Sequence, residues 1–159
     1  MKKFVIFLAI LLLVSFTGMA ESQLFVDPTA GPEVWVTSVY NNSGGALSAG
    51  SIVVWDIASS TGDNDNYVTT TTTADTQLVA GIVWPAAIAS ASNGSIAVRG
   101  TGIKVTVTNS AGVGAGTELC TGGTAGTAHH CSEAGDPNRI GFCTSANSSG
   151  TCIAYISGL

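Results

Sequence analysis

Residues 120 to 131 read CTGGTAGTAHHC, two cysteines around a small-residue loop with the chain's two histidines, His129 and His130, beside the second. Cysteine and histidine are zinc and copper ligands, so Cys120, His129, His130 and Cys131 form a candidate metal set. Their spacing argues against it: two adjacent imidazoles and the next thiolate rarely reach one tetrahedral ion together, and no CxxC knuckle supports them. The absence of CxxCH excludes covalent c-type haem. The remaining cysteines are Cys143 and Cys152. An even count in an exported chain favours disulfides, and four cysteines allow three pairings. Cys143 and Cys152 sit on short predicted strands joined by a hairpin-like connection, where a cross-strand bond is sterically reasonable. Cys120 then pairs with Cys131. Each bridge closes roughly ten residues and contributes about 2–3 kcal/mol in the loop-entropy picture. On this reading the histidines are solvent-facing loop residues, and no metal or other cofactor is expected.

The stretch TGDNDNY (61–67) alternates oxygen ligands, with Asp63 and Asp65 two apart. Calcium loops use such alternation. The next alternate position is Tyr67 and the later Gly and Glu are missing, so an acidic turn is the default and calcium the alternative. Trp35, Trp55, Trp84, Tyr40 and Tyr67 could stack on sugar rings, but they lie within apolar strand words, which favours core or interface packing. Asn41, Asn93 and Asn147 head glycosylation sequons, which would mark surface loops; beside a bacterial-style leader they are expected to be unused. Catalysis has little support. A hydrolytic triad needs nucleophile, histidine and acid together, and no GxSxG elbow occurs. No cluster of the ten acids nominates a carboxylate pair for glycoside hydrolysis. The chain is read as no enzyme.

The elements that would position these residues are strands. β-branched residues dominate between Gly and Asn clusters, and helical periodicity is almost absent, so the chain is all-β. In Ile103–Thr108, Ile103, Val105 and Val107 face one way and Lys104, Thr106 and Thr108 the other. Ile96 and Val98 face inward in Ser95–Arg99. Ser51–Trp55 is continuously apolar and predicts a more buried strand. Asn66–Thr73 has strand propensity with little to bury, which predicts a surface or edge strand. An internal repeat runs through this pattern. VWVTSVYNNSGGALSAGSIVVW (34–55) is echoed by IKVTVTNSAGVGAGTELCT (103–121). AGIVW (80–84) and GSIAVRG (94–100) are echoed by IGFCT (140–144) and GTCIAYISG (150–158). The order is the same in both halves. Two related units, about 34–100 and 103–158, each have too few strands to bury a face alone. They should share a core as a single compact β-barrel or sandwich, stapled by disulfides in the second unit.

The words AVRGTGIKVTV, the Ala-Gly turn, the TGGTAG stretch, the IGFC strand and the terminal hairpin resemble the small capsid-decoration (cement) proteins of tailed phages and their bacterially encoded relatives. The matching pieces are Ile96 to Val107, Val113 to Ala128 and Arg139 to Ile156. The resemblance spans most of residues 42–158 with Gly/Ala-rich words of low information. It implies a compact β-barrel that binds copies of itself or a protein lattice, without catalysis. Four cysteines and an apolar leader depart from that family's pattern and point to an exported protein using the same barrel.

The leader is MKKFVIFLAILLLVSFTGMA: basic Lys2 and Lys3, an apolar run, and Gly18 and Ala20 at the small-residue positions. It predicts a secretory signal over 1–20, cut before Glu21, with no membrane insertion of the mature chain. Residues 21–33, ESQLFVDPTAGPE, form an extended arm that Pro28 and Pro32 keep from regular structure. Its apolar tip, Leu24, Phe25 and Val26, either lies on its own barrel (34–159) or adds to a neighbouring subunit. The mature chain keeps three basic residues, Arg99, Lys104 and Arg139, against ten acidic ones, a net of −7. That balance argues against nucleic acid as partner. Only 9% of residues are charged, so little repulsion keeps copies apart. The sequence thus predicts a secreted or cell-surface structural protein whose partner is itself, as a homo-oligomer, or a protein lattice. The alternative is a secreted carbohydrate-binding module using surface aromatics, with a glycan as partner.

Overall fold

The computed structural model describes residues 33–58, 66–108, 113–131, 138–145 and 150–157. The predicted leader and all of the arm before Glu33, with Leu24, Phe25 and Val26, lie outside these residues, as do Asp63, Asp65 and Asn147. The described residues are all-β, in nine strands: β1 (Val34–Asn41), β2 (Ile52–Trp55), β3 (Tyr67–Thr69), β4 (Val79–Val83), β5 (Asn93–Thr106), β6 (Glu118–Thr121), β7 (Ala128–His130), β8 (Gly141–Cys143) and β9 (Thr151–Ile156).

Strand pairing closes two circuits. In the first, β1 pairs with β3, β3 with β2, β2 with β4, β4 with β5, and β5 back with β1. In the second, β5 pairs with β9, β9 with β8, β8 with β6 and β6 with β7, and a parallel bridge from Val107 to Ala128 returns to the end of β5. The sequence predicts separate strands at 95–99 and 103–108. The structure joins them into β5, whose 14 residues serve one circuit with the first half and the other with the second. The register shifts between Gly100 and Ile103, where the strand passes between them.

The two circuits match residue by residue. Val83 pairs with Ile96 as Cys143 pairs with Ala154. Val53 opposes Gly81 as Leu119 opposes Gly141, and Trp55 opposes Val68 as Thr121 opposes Ala128. Val39 opposes Gly94 as Val105 opposes Cys152. The turns match too. The Ser51 N–H donates to Ser48 O (3.1 Å) across Ala49-Gly50, and the Thr117 N–H donates to Gly114 O (3.0 Å) across Ala115-Gly116. Gly50 and Gly116 both have positive φ, 88° and 83°, as the third residue of such a turn requires. The Gly50 N–H then donates to Val83 O and the Gly116 N–H to Cys143 O, both at 2.8 Å.

This arrangement explains the burial. Val39, Leu47, Val53, Val68, Val83, Ile88 and Ile96 form one apolar cluster. Their register counterparts Val105, Leu119, Ala128, Cys143 and Ala154 belong to the other. Ile52, Ile82 and Ala97 come from first-circuit strands yet join the second cluster. Hence β2 and β4 are buried on both faces, as their unbroken apolar words require. The threonine-rich segment departs from expectation. Only Tyr67–Thr69 is strand, and it lies between β1 and β2 rather than at an edge. Its Val68 is fully buried, because closing the circuit puts that side chain inside.

The disulfides join Cys120 to Cys131 and Cys143 to Cys152, the pairing expected from spacing. In the first circuit the counterparts of Cys143 and Cys152 are Val83 and Gly94. A side chain on Gly94 would collide with Ile88. An isoleucine from the 84–92 connection therefore fills there the space that the second circuit fills with a bridge.

Candidate functional site

β7 carries both histidines, so they belong to a strand rather than a loop. Neighbouring strand residues point to opposite faces. His130 is exposed, whereas His129 is half-buried with Nε2 2.9 Å from Asp75 Oδ1. A carboxylate only accepts, so the imidazole Nε2–H donates. Asp75 adopts a positive φ of 54°, and its N–H donates to Thr121 O (3.1 Å). The Thr76 N–H donates to Thr121 Oγ1 (2.8 Å), and that hydroxyl donates to Thr73 O (3.3 Å). The group fastens the connection before β4 onto β6 and β7. The two sulfurs of this hairpin are bonded to each other and the imidazoles diverge, so the four candidate metal ligands do not converge.

Asn41 heads a sequon but is fully buried at the end of β1. Its Nδ2 donates to the carbonyls of Gly45 (2.7 Å) and Ala89 (3.0 Å), with Ile88 O at 3.2 Å. Its Oδ1 accepts from Ser43 N–H (3.0 Å) and Ser43 Oγ–H (2.7 Å). It is an internal clamp rather than a surface position. The run Asn41-Asn42-Ser43-Gly44-Gly45 carries the signal for such a side-chain-capped turn. Asn93 is exposed.

Trp55 and Trp84 pack against the two cores, and Tyr40 and Tyr67 meet at 4.8 Å between ring centroids. Trp35 lies outside both cores and is 54% exposed. A register shift between Trp35 and Val36 turns both side chains outward. The Trp35 Nε1–H donates to Glu33 Oε1 (2.7 Å). The Arg99 guanidinium carbon lies 5.4 Å from the Trp35 ring centroid, within cation–π range. Gly100 sets this up: its φ is +139°, and a Cβ there would strike Glu33 O and Val34 Cα. Only glycine lets the start of β1 settle onto β5. Glu33, Trp35, Arg99, Gly100, Thr101 and Tyr155 line an open cleft of about 240 Å³. Tyr155 meets Phe142 at 5.1 Å between centroids, tilted by 36°, and Phe142 is 40% exposed. Trp35 pairs with Arg99 across β1 and β5, and Tyr155 with Phe142 across β9 and β8. Planar groups therefore follow one another over four adjacent strands.

No protein-family model and no curated relative matches the chain. Among solved structures, it is similar to the crystal structure of the head fiber gp8.5 N base of bacteriophage phi29. The TM-score is 0.53 at 16% identity, covering 79% of this chain and 98% of that one. At that identity the likeness shows the fold.

Proposed function

We propose that this protein is an exported, non-enzymatic structural component that self-associates or docks into a surface layer, filament or particle coat. The observation that carries the reading is the fold, which this chain shares with the base of a phage head fiber. The disulfides support the exported half of the reading, since such bonds persist in non-reducing surroundings. The sparse charge supports the assembling half.

Purified residues 21–159, examined by light scattering and electron microscopy over a range of concentration and salt, test it. Oligomers or an ordered array are the expected result. A dispersed monomer under every condition would overturn self-association and leave docking to a foreign lattice as the surviving form.

A further inference from the structure

We infer that the cleft around Trp35 is a saccharide-binding site, taking a neutral hexopyranose chain laid across β1, β5, β9 and β8.

The face of a pyranose ring is a patch of C–H groups, and its rim is a ring of hydroxyls. A site for it needs an exposed aromatic face together with planar hydrogen-bonding groups at the aromatic's edge. Trp35, 54% exposed, carries Arg99 over one face of its ring and offers the other. Its indole is fixed from two sides, by the Glu33 carboxylate on Nε1 at 2.7 Å and the Arg99 guanidinium at 5.4 Å. A ring held that way loses little freedom when a ligand stacks on it. Glu33 Oε1 holds the indole N–H and leaves Oε2 as an acceptor at the ring's edge, while Arg99, stacked over one face of the ring, brings guanidinium N–H donors for hydroxyls beside it. Thr101 and Tyr155 add hydroxyls on the same cleft.

Size and charge narrow the ligand. The cleft's 240 Å³ falls below the roughly 300–1,000 Å³ of sites that enclose a drug-sized molecule. It suits a ring lying on the surface. Three strand-to-strand steps carry the row from Trp35 to Phe142, about 14 Å at ordinary strand spacing, so successive rings of one chain can use it. Glu33 and Arg99 cancel in charge, and the mature chain's excess of acids disfavours a polyanionic glycan.

Titration of residues 21–159 with cellohexaose, chitohexaose and maltohexaose, followed by tryptophan emission and calorimetry, tests this. A saturable response to at least one of the three is expected. Trp35→Ala should weaken it by roughly tenfold or more, Arg99→Ala should weaken it less, and Trp35→Phe should retain part of it. Each variant is checked for an unchanged melting temperature. No response to any of the three overturns the proposal. So does a response that survives in Trp35→Ala, or a Trp35→Ala effect confined to oligomeric state, which would make the cleft a protein contact. Assembly of the wild-type chain is read separately, so failure here leaves the structural role standing.

Discussion

Asn41 shows how much one side chain can hold. It is fully buried and ties the 42–45 turn to the 88–89 segment through its amide. Removing a buried partner leaves carbonyls without hydrogen bonds, at about 1–3 kcal/mol. Asn41→Ala is therefore expected to lower stability by that amount in denaturant unfolding. Asn41→Asp should do no better, because a carboxylate cannot donate to the Gly45 and Ala89 carbonyls and would face them as another acceptor. An aspartate variant as stable as the parent would show that the amide donors contribute nothing. His129 belongs to the same scale. Read alone beside Cys131 it suggests a ligand, but its strand position and Asp75 make it a fastener between the two circuits.

At the scale of elements, β4 and β8 carry a glycine at the same register position. A Cβ on Gly81 would lie 2.6 Å from Ala97 O, and one on Gly141 would strike Tyr155 O. Both glycines let a short central strand sit close against its neighbour, β5 in one circuit and β9 in the other. Gly81→Ala and Gly141→Ala should each cost about 1–3 kcal/mol or more, the range for overfilling a packed core. Thermal unfolding of the two variants measures it. A neutral result at either position would show that its strand pairing relaxes freely. The repeated words AGIVW and IGFCT made these strands legible. The reason for their glycines was not, since it lies in the opposing strand's backbone.

At the scale of the whole molecule, both bridges lie in the second circuit. The first fills the space of Cys143–Cys152 with Ile88 instead. Reduction should remove about 2–3 kcal/mol per bridge, and should do so unevenly. Under reductant, amides of β8 and β9 are expected to lose hydrogen-exchange protection before those of β2 and β4. Loss of protection at equal rates in both circuits would mean that the shared strand β5 couples them into one cooperative unit.

Strand content, the two-faced burial of Ile52–Trp55, the alternation of Ile103 to Val107 and the echo between the halves were legible in the sequence, which allowed three cysteine pairings and favoured the one the structure shows. The burial patterns and the bridges are local, because period-two burial and loop-closing bonds act over a few residues, and the echo needs only one stretch of the chain laid against another. That the two central words form one strand, that the threonine-rich segment is enclosed, that Asn41 is a clamp and that Trp35 faces outward follows from contacts between distant parts of the chain. These depend on partners 27 to 64 residues away, Val68 beside Asn41, Ala89 below it and Arg99 beside Trp35, and composition and spacing carry no record of such distances. Circuit closure brings those partners together. It buries Val68 while leaving Trp35 half-exposed beneath Arg99.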